Sequence, residues 1–397
     1  GASIAAGAGG AHAQGAILTY PAPLNTNSDT DSLPDSNVQI AYGGIEGSGQ
    51  GTFLAVWESD ENLGGTAGTD TDIFFSVGGA DATGGNWSPP ALLNTNGTSD
   101  SGGDNNVQVA SDGAGNWVAV WQGHENLNGT TGTEGDILVA TSSDDGNTWT
   151  ATALLNNNGD SDGVGDIDSH PTIASDGAGN WIAAWQSFTN LNGTTGPDLD
   201  ILTATSSDNG LTWSDPALLN SSGASDSGAN ARDLYPHLAS NGEGEWIAVW
   251  QSQTNLNGAG NDYDIFFALS SDAGASWTSA ALLNSNGTTD SGIDPLSGSD
   301  TYPQVIWDGM HSWVAVWQSN EDLASEFGSA GTDLDIFVSL LRRNAGVWSA
   351  PIVLDSNAEI DTGGDYSPRI HADGAGHWVT VWHSSEDLFG GGQYLLP

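Results

Sequence analysis

The stretch Ser142–Trp149, SSDDGNTW, is the one whose reading decides the fold. It returns as SSDNGLTW at Ser206–Trp213 and as SSDAGASW at Ser270–Trp277, each time 64 residues further on. A catalytic motif is normally written once, whereas a motif at a fixed period belongs to the architecture. Degenerate copies sit at GGADATGGNW (Gly78–Trp87) and RRNAGVW (Arg342–Trp348).

A tryptophan keeps the same period. Trp57, Trp121, Trp185, Trp250, Trp317 and Trp382 close the runs TFLAVW, NWVAVW, NWIAAW, EWIAVW, SWVAVW and HWVTVW, at spacings of 64, 64, 65, 67 and 65. Six units follow. Each reads as four short strands, as in NVQVAS (106–111), NWVAVWQ (116–122), DILVATS (136–142) and WTATALLN (149–156). The runs are β-branched and aromatic, and Gly, Asn and Asp punctuate them. In WVAVW both alternating faces are apolar, so the sheet must be covered on both sides. Four-stranded antiparallel sheets packed face to face around an axis make a β-propeller. The fold expected is all-β, a six-bladed β-propeller over residues 16–397, preceded by a Gly/Ala-rich N-terminal extension at 1–15.

The octet resembles the Asp-box of the bacterial neuraminidase (sialidase) repeat, and the resemblance covers nearly the whole chain. It implies a structural hairpin between the third and fourth strands of each blade. The physics agrees, because an Asp side chain accepts backbone N–H groups across a tight turn. The resemblance also implies an active face on the side away from the Asp-boxes, where the loops from strand two to three and from four to one gather. In sialidases three arginines clamp the substrate carboxylate, a Tyr–Glu pair supplies the nucleophile and an Asp serves as acid/base. Here only Arg232 and Arg369 fall on that face, while Arg342 and Arg343 fall at an Asp-box turn. Sialidase chemistry is therefore not expected. A hydrolase of neutral glycans needs only two carboxylates at the right separation, and no pair stands out. Tyr235, Tyr302 and Tyr366 open the first strand of three units near the axis and read either as packing residues or as the lining of a sugar site.

The four-to-one loops carry a second repeat. Oxygen-bearing residues alternate at Asn25, Asn27, Asp29 and Asp31; at Asn94, Asn96 and Asp100; at Asn156, Asn158, Asp160 and Asp162; at Asn220 and Asp226; at Asn284, Asn286 and Asp290; and at Asp355, Asn357, Glu359 and Asp361. A further acid follows at Asp35, Asp104, Asp166, Asp294 and Asp365. Hard oxygens at alternate positions of a Gly-rich loop are the way a short segment wraps Ca²⁺, and the cofactor expected is Ca²⁺. Solvated Asx-turns are the other reading. The pairs Asp70/Asp72, Glu134/Asp136, Asp198/Asp200, Asp262/Asp264 and Asp333/Asp335 precede strand three on the same face and either complete such sites or cap the strand.

Composition limits the partners. Fifty acidic residues face four basic ones, with no Lys and no Cys, for a net charge of −46. Such a surface repels nucleic acid and anionic membranes, and no apolar run reaches the length of a membrane span. Disulfides play no part. An extracellular or cell-surface location is expected, with extracellular glycans or further copies of the chain as partners. The near-uniform loops favour a non-catalytic, calcium-binding structural, adhesive or filament-forming protein, with a glycan-binding or glycan-hydrolysing propeller as the alternative. The last unit lacks its outer strands. QYLLP (393–397) is expected as its third strand and ILTYPAPLN (17–25) as its fourth, so that the N-terminus closes the ring or, exchanged, links copies into a homopolymer.

Overall fold

A computed structural model describes residues 2–5, 34–45, 51–62, 67–79, 87–99, 101–127, 134–159, 167–191, 198–221, 223, 232–256, 258–260, 262–285, 287–288, 298–321, 324–325, 328–329, 333–343, 345–354 and 363–385. Strand β1 is Ala2–Ala5. Blade 1 follows with β2 (Asp35–Ile45), β3 (Gly51–Ser59), β4 (Asp72–Gly79) and β5 (Ala91–Leu92). Blade 2 is β6 (Asp104–Ser111), β7 (Trp117–Gly123), β8 (Asp136–Ser142) and β9 (Ala153–Leu154). Blade 3 is β10 (Asp168–Ser175), β11 (Trp181–Ser187), β12 (Asp200–Ser206) and β13 (Ala217–Leu218). Blade 4 is β14 (Asp233–Ser240), β15 (Trp246–Ser252), β16 (Asp264–Ser270) and β17 (Ala281–Leu282). Blade 5 is β18 (Asp300–Trp307), β19 (Ser312–Ser319), a small hairpin of β20 (Ala324–Ser325) and β21 (Gly328–Ser329), then β22 (Asp335–Arg342) and β23 (Ile352–Val353). Blade 6 holds β24 (Asp365–Ala372) and β25 (Trp378–Ser384). Among the described residues, blades 1 to 5 are four-stranded antiparallel sheets and blade 6 is three-stranded, in the order β1-β25-β24. The four strands per blade match the sequence reading.

The second strand of each blade explains the packing. β7 is buried along its whole length, and its two faces serve different neighbours. Trp117, Ala119 and Trp121 pack with Leu54 and Val56 of blade 1. Val118 and Val120 pack with Trp181, Ala183 and Trp185 of blade 3. The same alternation sets Ile182 and Ala184 against Trp246, Ala248 and Trp250, and Ile247 and Val249 against Trp313, Ala315 and Trp317. Each joint therefore pairs a bulky, Trp-rich face with a β-branched one. A buried aromatic ring removes about 150–250 Å² from water, which makes these joints the main hydrophobic contribution. The terminal faces are more open: Val38 and Ile40 of blade 1 are 58% and 59% exposed, and Val379 and Val381 of blade 6 are 38% exposed, where Val118 and Val120 are at 0%.

The octets are hairpin turns. Asp144 accepts the Thr148 N–H at 2.8 Å and hydroxyls of Thr148 and Ser142 at 2.6 and 2.8 Å. Asp208 and Asp272 repeat this with Thr212 and Ser276. The turn needs left-handed backbone at Asp145 and Gly146, with φ of 60° and 78°. Trp149 leaves the turn to meet Phe75 of the preceding blade edge-on, 6.1 Å between centroids.

The N-terminus supplies the strand beside β25, but from Ala2–Ala5, inside the segment read as an extension: Ser3 pairs with Trp382 and Ile4 with Val381. That is the position assigned from sequence to QYLLP. Residues 17–25 and 393–397 lie outside the described residues, as do the contacts they make.

The Thr212 hydroxyl bond, with further bonds from Ser206 and the backbone outweighing partial burial, holds the Asp208 carboxyl below its usual pKa. Asp208→Ala is expected to lower stability in urea unfolding by about 1–2 kcal/mol at neutral pH, the scale of lost hydrogen bonds to an exposed charge. An unchanged midpoint would show that the turn holds without its acid.

Candidate functional site

The first strand of every blade breaks register two residues from its start. The shifts fall between Ser36 and Gln39, Asn105 and Gln108, Ser169 and Thr172, Leu234 and His237, Thr301 and Gln304, and Tyr366 and Arg369. At each bulge one non-glycine residue is left-handed: Asn37, Asn106, His170, Tyr235, Tyr302 and Ser367, with φ between 49° and 58°. Left-handed backbone costs an L-residue about 1–2 kcal/mol. The residue after the Trp marker in the preceding blade offsets this cost. The side-chain oxygens of Gln186, Gln251 and Gln318 accept the N–H groups of Tyr235, Tyr302 and Ser367 at 3.0, 2.9 and 2.7 Å. Glu58 does the same for Asn106.

The bulge turns these residues towards the axis. Asn37, Asn106, His170, Tyr235 and Tyr302 line a cavity of about 250 Å³, and the next layer of its wall is Gln108, Thr172, His237, Gln304 and Arg369, with Pro171, Pro236 and Pro303 between the two. One side is an aromatic ladder. His170 meets Tyr235 edge-on at 4.8 Å, and Tyr235 lies 4.6 Å from Tyr302. Burial first, then a hydrogen bond to Tyr302, raises the Tyr235 pKa, so its phenol stays neutral. The other side is polar and cationic. Arg369 faces the cavity, and the protein around its guanidinium lowers its pKa through desolvation. Its Nη1 donates to the Pro368 carbonyl at 3.3 Å. His237 Nδ1 accepts the Val305 N–H at 3.3 Å, which leaves the proton of the neutral ring on Nε2. Burial, then the Arg369 charge, brings His237 down to about 4.

Among the described residues no Asp or Glu lines this cavity, in a chain with 50 of them. The acid just behind the wall is Glu58, 7% exposed. It accepts Asn37 Nδ2 at 2.6 Å, together with the Asn106 and Val107 N–H groups.

Of the loop residues read as metal ligands, the structure places four asparagines between carboxylates. Asn94, Asn156, Asn220 and Asn284 are fully buried and clamp successive blades. Asn94 Nδ2 donates to Asp72 at 2.7 Å and to Asp104 at 2.6 Å, and its oxygen accepts the Ile73 N–H at 3.0 Å. Asn156 bridges Asp136 and Asp168 at 3.0 and 2.7 Å. Asn220 bridges Asp200 and Asp233, and Asn284 bridges Asp264 and Asp300. Asp104 also accepts Trp121 Nε1 at 2.9 Å. Asp35 and Asp365 open β2 and β24, Asn158 lies in the turn after Asn156, and Asn96 donates to Glu125 at 2.6 Å. Asn25, Asn27, Asp29, Asp31, Asp100, Asp160, Asp162, Asp166, Asp226, Asn286, Asp290, Asp294, Asp355, Asn357, Glu359 and Asp361 lie outside the described residues. Among the described residues no three His, Asp or Glu side chains converge in a way that holds a metal ion.

The ring of bulged residues was not read from sequence as a set. Its signal is present: His170, Tyr235, Tyr302 and Ser367 each stand two residues after an Asp and directly before a Pro. Tyr235 and Tyr302 line the cavity. Tyr366 stands one residue short of its bulge and stacks on His383 at 5.1 Å. Arg369 reaches the cavity, whereas Arg343 pairs with Glu243 and Glu245 on the Asp-box side, at 2.6 and 3.3 Å.

The BNR repeat-like domain matches residues 51–301. Among solved structures the chain is similar to Hadza microbial sialidase Hz136, at 13% identity and a TM-score of 0.50, covering 91% of this chain and 67% of that one. It is similar to the leech intramolecular trans-sialidase at 10% identity and a TM-score of 0.54, covering 92% and 67%. It is similar to the NanB sialidase from Streptococcus pneumoniae at 11% identity and a TM-score of 0.51, covering 87% and 65%. These likenesses show the fold, and the chain spans about two thirds of the length of those proteins. No curated protein sequence matches.

His237 gives the cavity a pH signature. Its folded pKa lies below the roughly 6.5 of an unfolded histidine, so the unfolded chain binds the proton first. This contribution to stability is complete above about pH 6.5 and is lost as pH falls towards 4. Between pH 7 and 4.5 the native chain is expected to lose more stability in urea unfolding than His237→Asn, which retains an acceptor for the Val305 N–H. Equal losses would mean that His237 is not held neutral.

Proposed function

Because the chain belongs to the BNR repeat-like domain family, we propose that it is a glycan-binding propeller whose site is the axial cavity. The observation that carries this reading is the lining itself. The His170–Tyr235–Tyr302 ladder offers aromatic faces to the C–H face of a sugar ring, with the energies typical of aromatic contacts. Opposite stand amide, hydroxyl and guanidinium groups, which supply the few placed polar contacts that fix orientation in a ligand pocket. The cavity of about 250 Å³ is of a size for one or two sugar residues.

Binding without cleavage fits better than hydrolysis. Glycoside hydrolysis by the usual route needs two carboxyl groups flanking the scissile bond, about 5–10 Å apart. None lines this cavity among the described residues, and the Glu58 oxygens are occupied by the hydrogen bonds that hold two bulges. In this reading blades 1 and 6 meet around the axis, which the presence of Asn37 and Arg369 in the lining of one cavity supports, and the protein meets its ligand outside the cell.

A glycan array, followed by calorimetry with the best neutral and acidic oligosaccharides, tests the proposal. Tyr235→Ala is expected to weaken binding by tenfold or more, the scale of one lost stacking contact of about 1.5 kcal/mol, with little change in the melting temperature. Absence of binding to any glycan, or release of a cleaved sugar, would overturn it.

A further inference from the structure

We propose that the joint between blades 1 and 2 holds a divalent cation of calcium type, with Asp70 and Asp72 as its carboxylate ligands. This site is separate from the axial cavity and does not depend on the reading given to it.

Asp72, at the start of β4, is 1% exposed. Its Oδ1 accepts the Asn94 amide at 2.7 Å, while its buried Oδ2 has no hydrogen-bond partner. Asp70 shows the same split: Oδ1 accepts the Thr69 N–H at 3.2 Å, and Oδ2 is shut from water without a partner. Glu125, from the loop after β7, is 6% exposed. The loop closes tightly around these acids. A Cβ at Gly97 would stand 2.2 Å from Asp72 Oδ1, and one at Gly68 would stand 2.5 Å from Asp70 Oδ1.

Taking several carboxylates out of water together costs several kcal/mol each unless a positive charge meets them. The chain has no Lys and only four arginines. Neighbouring His124 is engaged elsewhere: Nδ1 lies 3.0 Å from the Gly103 carbonyl and Nε2 lies 3.4 Å from the Gln122 amide. Among the described residues no cationic side chain forms an ion pair with Asp70 or Asp72. Two carboxylates, with amide and backbone oxygens and water filling the shell, suit Ca²⁺, which takes about 6–8 oxygens in flexible geometry. An all-oxygen set disfavours zinc and copper. The absence of a third converging carboxylate excludes a closed all-acid cage and not this mixed one.

The test uses the full chain, purified with chelator. Ca²⁺ is titrated against the thermal melt, with Mg²⁺ and with NaCl at matched ionic strength as controls. Tb³⁺ luminescence excited through tryptophan reports occupancy, with Trp121 one hydrogen bond from Asp104 at the same joint. Native protein is expected to gain several degrees with Ca²⁺ beyond matched NaCl. Asp70→Asn is expected to fold, because Asp70 is only half-buried, and to lose tenfold or more in Tb³⁺ affinity at the tightest site. Asp72→Asn removes the buried charge, so it is expected to melt higher than the native chain without Ca²⁺ and to gain less from Ca²⁺. Two results would overturn the proposal: Asp70→Asn keeping the native Tb³⁺ affinity and Ca²⁺ shift, or matched NaCl reproducing the whole shift. Either would mean that the buried charge is met by a proton on Asp72 or by general screening.

Discussion

A strand buried on both faces has to have a neighbour on both sides, and this constraint organises the molecule. In β7 and its equivalents alternate residues face opposite blades, so a blade cannot satisfy its apolar surface alone. Stacking blade on blade satisfies it. The alternation of Trp-rich and β-branched faces then sets the order, since a bulky face fits a slimmer one and two bulky faces would overpack. The first strands of successive blades are brought side by side as a consequence, and their bulged residues line one cavity.

Much of the fold was legible because repetition multiplies weak signals. A single WVAVW is an ambiguous apolar run, whereas six at a near-constant period fix the unit, and the octets fix the turn between its last two strands. The axial ring was less legible. A bulge inserts one residue and sends a side chain to the opposite face, so Tyr302 and Tyr366 look alike by position while only Tyr302 reaches the cavity. The placing of the loop asparagines was not legible either. Oxygen-bearing residues at alternate positions suit a metal loop, and spacing alone does not say that Asn94, Asn156, Asn220 and Asn284 turn inward and give both amide hydrogens to carboxylates. Sequence spacing carries the chemistry of these side chains but not the side of the chain on which each falls.

Charge is distributed against its average. The chain is acidic overall, yet among the described residues the cavity wall holds an arginine, two histidines and no carboxylate. The acids are concentrated at blade joints and turns, where they accept hydrogen bonds. A net charge of this size repels anions at long range, but the Debye length at physiological ionic strength is about 8 Å. A group at the cavity therefore responds mainly to its immediate wall.

Four of the bulged residues, Asn106, Tyr235, Tyr302 and Ser367, are held through the backbone N–H, which a glutamate or glutamine of the preceding blade accepts. The side chains of Asn37 and Asn106 add hydrogen bonds to Glu58 and Gln122, while those of Tyr235 and Tyr302 are presented to the cavity. Asn, His, Tyr and Ser occupy equivalent positions around the axis with nearly the same φ. Scaffold and specificity are thus written in different atoms of the same residue. A chain built this way can exchange the side chains at Tyr235 and Tyr302 without altering the backbone bonds that hold their bulges, so the chemistry of the cavity wall can change while the architecture stays.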